Sequence, residues 1–221
     1  MIKLQGKIIE QNHFPDGTLL MKCDAKRGSV GTITWQYEND AELFALYSLK
    51  KHLDRVRPGW TPCLYLPYIP HARMDRVKNP DDVFTLKYFA DIINYLQFDN
   101  VLVLDPHSFV STALINNISQ DNPKQYIDYA IKNCNPDMLF FPDEGSVKRL
   151  SDMFNSEYAF GIKKRNWETG KIEGLDVAGC VDKIKDSDIL IVDDICSRGG
   201  TFYHSAKKLK ELGAKNIYLY I

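Results

Sequence analysis

The sequence predicts an α/β fold made of two halves, each a mainly parallel sheet flanked by helices. Three observations predict it. Short, continuous apolar runs such as NVLVLD (100–105) and DILIVDD (188–194) read as strands buried on both faces. Stretches with apolar residues at the helical period separate such runs, and strand–helix alternation argues for parallel pairing. The same two strands each end on an acid followed by a polar loop, a weak internal repeat consistent with two related halves. The expected boundaries are 1–125 and 126–221. The chain stops on the apolar strand NIYLYI (216–221), so the second half is expected to be cut short at its C-terminus.

The first third is β-rich. KIIEQ, TLLMKCD and GTITWQY read as short strands separated by turn signals such as Pro15-Asp16-Gly17. The segment 38–56 reads as a helix through Leu43, Phe44, Leu46, Tyr47 and Leu49. Thr61–Ile69 is an apolar strand closed by Pro70-His71-Ala72-Arg73-Met74-Asp75-Arg76, and residues 84–97 form a second helix after the loop VKNPDD. The strand NVLVLD runs into Pro106-His107-Ser108. Helical segments around 111–133 follow, then the strand MLFFPDEG, the helix SVKRLSDMF and the strand EYAFGI. A polar stretch, KKRNWETGKIEG (163–174), is expected as a loop before the unit 188–214. Trp35, Phe44, Tyr88, Phe89, Phe98 and Phe109 fall at helical or strand periods and are expected in the core or at subunit contacts.

Composition narrows the class. With 28 basic and 29 acidic residues in 221, the net charge of −1 argues against general nucleic-acid or membrane affinity. Five widely spaced cysteines without a C-x-x-C pair argue against a zinc site or a disulfide framework, and a reducing cytoplasm is the expected compartment. No 18-residue apolar run and no signal-peptide core occur.

The most chemically informative stretch is VDDICSRGGT (192–201), leading into an amphipathic helix. In α/β sheets ligands bind just beyond the carboxyl ends of strands. Asp193 and Asp194 repel one another unless hydroxyl donors or a cation lie between them. Ser197, Arg198, Gly199, Gly200 and Thr201 can cradle a phosphate with backbone N–H groups at a helix N-terminus. The bland alternative is a solvated strand end with a glycine turn. A ribose phosphate satisfies both halves of the pattern.

VDDICSRGGT resembles the signature of type I phosphoribosyltransferase-like proteins. Five further motifs resemble, in order, those of the ribose-phosphate pyrophosphokinases. They are FPDGT (14–18), PYIPHARMDR (67–76), LDPHS (104–108), FPDEGSVKR (141–149) and IKKR (162–165). The resemblance spans nearly the whole chain and implies two phosphoribosyltransferase-like halves, the first on the ATP side and the second on the ribose-phosphate side. It implies Mg2+-dependent transfer of the β,γ-diphosphoryl group of ATP to the anomeric hydroxyl of ribose 5-phosphate. Such chemistry is mostly in-line positioning and charge neutralisation.

Roles follow residue by residue. Phe14, Asp16, Arg73, Asp75 and Arg76 would hold ATP, the arginines being suited to phosphate. His107 with Asp105, and Asp143, would serve the metal; read alone, His107 is a loop histidine and Asp143 a helix N-terminal acid. Lys163 aligns with the family's catalytic lysine and Arg165 lies beside it, although a basic run is ordinarily a solvated surface. Asp193 and Asp194 would hold the ribose hydroxyls, and 197–201 the 5′-phosphate. The FPDG loop would reach a neighbouring subunit's ATP, so a homo-oligomer is expected.

Four departures bear on substrate. Thr18 replaces the family's Glu and Met74 its Gln; Ser197 and Arg198 replace an Asp and a Thr in the phosphate loop. Arg198 could reach a second phosphate, which makes ADP-ribose an alternative acceptor, in NAD salvage. A nucleobase phosphoribosyltransferase would leave PYIPHARMDR unexplained. A non-catalytic regulatory partner would be expected to lose the motifs that carry Lys163, Arg165, His107 and the paired aspartates.

Overall fold

A computed structural model describes residues 1–24, 31–165 and 172–221, without the side chains of residues 164, 165, 172 and 173. The chain divides into two compact units, Met1–Asn122 and Pro123–Ile221.

In the first unit, six strands form one sheet: β1 (Ile2–Leu4), β2 (Lys7–Ile8), β5 (Thr32–Trp35), β6 (Cys63–Leu66), β7 (Val101–Leu104) and β8 (Ile118–Asp121), in the order β2-β1-β5-β6-β7-β8. β5 through β8 run parallel, and β1 is antiparallel to both its neighbours. Strands β3 (Gln11–His13) and β4 (Leu19–Met21) make a separate antiparallel hairpin. Helix α1 (Ala41–Val56) buries Leu46, Leu49 and Leu53 at helical spacing, and α2 (Thr85–Tyr95) buries Leu86, Phe89 and Ile93. These close on Ile2, Ile33, Trp35, Leu64 and Leu66 of the sheet. Helix α3 (Phe109–Leu114) is a short turn capped by the Ser108 hydroxyl, which accepts from the Val110 N–H at 3.2 Å.

The second unit is a five-stranded sheet ordered β11-β10-β9-β12-β13. Its strands are β9 (Met138–Phe141), β10 (Tyr158–Arg165), β11 (Ile172–Gly179), β12 (Asp188–Val192) and β13 (Asn216–Tyr220). All pairs are parallel except the hairpin β10–β11. The alternation of strand side chains divides the core by face. Met138, Phe140, Ile189 and Ile191 pack with Phe202 and Leu209 of helix α6 (Gly200–Glu211). Leu139, Phe141, Leu190 and Val192 pack on the other face with Ile127 of α4 (Lys124–Cys134) and Leu150 of α5 (Glu144–Leu150). Helices on both faces explain why these strands read as uninterrupted apolar runs.

The structure differs from the sequence expectations at several elements. Residues 163–165 extend β10, and 172–174 begin β11, rather than forming a loop. Lys163 pairs with Leu175 and Lys164 with Gly174. The strands β1 and β8 escape a sequence reading because one has three residues and the other, ISQD, a single apolar residue. Trp35, Phe89 and Phe98 are core residues, whereas Phe44, Tyr88 and Phe109 are more than half exposed. No helix among the described residues is long and apolar enough to cross a membrane.

Candidate active site

The second unit gathers charge where the sheet topology reverses. From β9 the chain passes through α5 to β10 on one side; from β12 it passes through α6 to β13 on the other. The carboxyl ends of β9 and β12 therefore flank a switch point, the place where α/β sheets open a crevice for ligands. Asp143 lies two residues past β9, and Asp193 and Asp194 directly follow β12.

Each carboxylate has a defined partner. Asp143 caps α5, accepting from the Ser146 N–H at 3.1 Å, and its other oxygen accepts from Lys163 Nζ at 2.7 Å. Asp193 is buried and accepts from the Ser146 hydroxyl at 2.9 Å. Asp194 accepts from Arg149 Nη2 at 3.0 Å, with both side chains largely buried. Burial pushes the Asp193 carboxyl up to about 6, reinforced by the negative charges of Asp194 and Asp143. Burial acts upward on Asp143 too, but the Lys163 ion pair and the bonds from Ser146 more than offset it, and its pKa lies below the usual carboxylate value. The site thus holds an excess of negative charge that is only partly neutralised from within. Polyol hydroxyls or a cation would relieve it.

The loop after Asp194 leads into α6. Gly199 sits at φ +71°, a left-handed conformation that favours glycine. The first backbone bond of the helix is Tyr203 N–H to the Gly199 carbonyl, which leaves the amides of Gly200, Thr201 and Phe202 ahead of the helical ladder. Ser197 and Arg198 are exposed on this loop. Ser146 and Arg149 join the site although sequence reasoning gives them no role. Their signal is the spacing of three along positions 143, 146 and 149, which places all three along one side of α5.

The first unit carries a second constellation. Asp75 forms a two-pronged ion pair with Arg76, at 2.8 Å to Nε and 3.0 Å to Nη2. The Arg76 bonds hold the Asp75 carboxyl below its ordinary value against burial, helped by a hydrogen bond from Ser108 and the charge of His107. The strand end at 104–108 and the turn at 73–76 are thereby tied together. Asp105 adopts φ +39° immediately before Pro106, a sparsely populated conformation for that residue. Its N–H donates to the Asp121 carbonyl at 3.0 Å across the sheet edge. Arg73 is exposed. At the tip of the β3–β4 hairpin, Asp16 accepts from the Thr18 N–H at 2.9 Å and the Thr18 hydroxyl at 2.7 Å, which holds its carboxyl below the ordinary value. Phe14 beside it is half exposed.

The structure therefore brings Asp143, Lys163, Asp193 and Asp194 together in one unit, and Asp75, Arg76, His107 and Ser108 in the other. The Arg165 side chain lies outside the described residues. Among the described residues, no group of three or more His, Cys, Asp or Glu side chains forms a ready metal cage. Mg2+ needs none, because it keeps waters and substrate phosphate oxygens and takes one or two protein carboxylates.

No family model matches the chain. It is similar to the ribose-phosphate pyrophosphokinase of Clostridium perfringens, 30% identical over 163 residues that cover 69% of this chain and 50% of that protein. The namesake enzyme of Saccharolobus solfataricus is 23% identical over 98% of this chain and 75% of its own. That of Pyrococcus abyssi is 28% identical over 96% and 74%. The chain thus spans half the length of the first relative and about three quarters of the other two. In structure it resembles the phosphoribosylpyrophosphate synthetase of Mycobacterium smegmatis, with a TM-score of 0.77, 19% identity and coverage of 96% of this chain and 71% of that one.

Proposed function

The chain belongs to the ribose-phosphate pyrophosphokinase family, and on that premise we propose that it transfers the β,γ-diphosphoryl group of ATP to the C1 hydroxyl of ribose 5-phosphate. The C1 hydroxyl gives up its proton to solvent as its oxygen bonds to the β-phosphorus, the bond from that phosphorus to the α-bridging oxygen breaks, and AMP leaves. The products are 5-phosphoribosyl 1-pyrophosphate and AMP. The observation that carries this reading is the pair Asp193–Asp194, held at a sheet switch point directly before the short loop into the glycine-started helix α6. Paired carboxylates suit a vicinal diol, and the free amides of the helix start suit the 5′-phosphate.

The remaining residues divide by charge. Lys163 and Arg165 would neutralise the transferring group. Arg73, Asp75, Arg76, Phe14 and Asp16 would take the nucleotide. Mg2+ fits the oxygen-rich donor set and would be held on the polyphosphate by Asp143 and by Asp105 with His107, supplying charge neutralisation there. The exposed hairpin tip at Phe14 is in keeping with an ATP site completed by a second copy of the chain, and hence with a homo-oligomer. The cytoplasm is the compartment proposed.

Arg198 favours a second reading, in which the acceptor is ADP-ribose and the product its 1-pyrophosphate. It is exposed on the phosphate loop, where a monoester is already served by backbone amides. Incubation with ATP, Mg2+ and either acceptor, followed by mass spectrometry, tests both. AMP with phosphoribosyl pyrophosphate supports the first, and AMP with pyrophosphorylated ADP-ribose the second. AMP from neither removes the enzymatic reading and favours a non-catalytic regulatory partner.

A further inference from the structure

Successive side chains along an extended strand point to opposite sides. Asp193 and Asp194 directly follow β12, and Asp193 still bonds the Tyr220 carbonyl of β13 through its N–H at 3.2 Å. Two adjacent acids there would be expected to diverge, and their charges push them further apart. Both nevertheless face α5. The Ser146 hydroxyl reaches Asp193 at 2.9 Å and lies 3.3 Å from Asp143, and the Arg149 guanidinium reaches Asp194 at 3.0 Å. Ser146 is buried, and Arg149 is 12% exposed.

We propose that Ser146 and Arg149 are positioning residues for the acceptor sugar: one side of α5 turns two adjacent carboxylates onto the same side, where they can grip a single vicinal diol. The inference rests on the reading of Asp193 and Asp194 as the holders of the ribose hydroxyls. Arg149 contributes a charge that opposes the repulsion within the pair, and its Nη2 bond holds the Asp194 carboxylate toward α5. Ser146 fixes Asp193 while its own N–H is bound to Asp143, so the helix cap and the diol site share one residue. Neither side chain needs to touch the sugar. Their effect passes through the carboxylates and falls on acceptor affinity rather than on ATP.

The test compares Arg149→Gln, Arg149→Lys and Ser146→Ala with the parent chain, measuring the KM for each substrate and ribose 5-phosphate binding by calorimetry with Mg2+ and no ATP. Arg149→Gln should weaken acceptor binding and raise the acceptor KM by about 10- to 100-fold, the usual effect of a small misplacement of binding groups. The ATP KM should stay within about twofold, and Arg149→Lys should recover part of the loss. Combined with Asp194→Asn, Arg149→Gln should add nothing beyond Asp194→Asn alone, because it acts through that carboxylate. Equal rises in both KM values, an unchanged acceptor KM, or additive losses in the double variant overturn the inference. If Arg149→Gln fails to fold by circular dichroism, Arg149→Lys and Ser146→Ala carry the same comparison. A parent chain that neither binds nor converts ribose 5-phosphate or ADP-ribose overturns the functional reading and this inference with it. A working parent whose variants keep their acceptor KM overturns the inference alone.

Discussion

The Lys163 ammonium lies 2.7 Å from an Asp143 carboxylate oxygen, with the lysine side chain 10% exposed. The residue read as the catalytic cation and a residue read as a metal ligand thus neutralise each other. Lys163→Ala should lower kcat by about 10²- to 10³-fold, the scale for loss of one group stabilising transition-state charge. Lys163 is also the strongest of the influences that hold the Asp143 carboxyl down, so its loss should lower the melting temperature at neutral pH as well. With its competitor gone, Asp143 should take Mg2+ at lower concentration. Initial rates of AMP formation across a Mg2+ titration check both effects; an unchanged kcat would remove Lys163 from the chemistry.

Asp193 sets a pH dependence of stability. Burial first, and the Asp194 charge second, raise its carboxyl to about 6. An acid raised in this way binds its proton more tightly folded than unfolded. The cost of its charge is therefore fully present above about pH 6 and vanishes as the pH falls below the unfolded value near 4. Asp193→Asn keeps the acceptor for the Ser146 hydroxyl and removes that cost. At pH 7 to 8 it should be more stable by about 2 kcal/mol, or about 4–8 °C in Tm, while losing activity. The two melting curves should converge toward pH 4. Asp143, whose carboxyl is depressed, works in the opposite sense. Its stabilising contribution is present above its unfolded value and is lost as acid protonates the folded form.

The two glycines at the start of α6 should separate folding from binding. Gly199 occupies φ +71°, so Gly199→Ala should cost about 1 kcal/mol of stability. Gly200 lies in the helix, and a Cβ added there would meet nothing within 4 Å, so Gly200→Ala should fold as well as the parent. On the proposed reading of this loop, its added methyl would stand where the 5′-phosphate approaches the backbone. Thermal melts together with acceptor KM values check the pair: a Tm drop for the first, a KM rise for the second.

Phe14 tests the nucleotide side. Its ring is 49% exposed at the hairpin tip, so Phe14→Ala should leave the melting temperature of the chain unchanged. If the ring contacts the nucleotide, the ATP KM should rise by about tenfold, equivalent to about 1.4 kcal/mol, while the acceptor KM stays constant. A constant ATP KM would take the hairpin out of the ATP site.

The sheets are legible in the sequence wherever strands are buried on both faces, as at Val101–Leu104 and Asp188–Val192. There, burial alone dictates the apolar run. The edge strand Ile118–Asp121 gives no such signal, because it pairs on one side only and holds no fully buried residue. The acids at strand ends are legible because carboxylates beside a glycine-rich turn have few structural reasons to be there. The roles of Ser146 and Arg149 are not, because the motif FPDEGSVKR holds both residues without saying what either one touches. Only the sheet order places them against Asp193 and Asp194.

Ser146 and Asp193 are 47 residues apart in the chain, and Arg149 and Asp194 are 45 apart. Both contacts require β9 and β12 to have paired as neighbours. No local segment, however well formed, assembles half of this cluster. Activity is therefore a late property of folding. A chain that has collapsed without registering its central strands presents scattered charges rather than a weakened catalyst, and recovery of turnover during refolding should lag behind recovery of helix content.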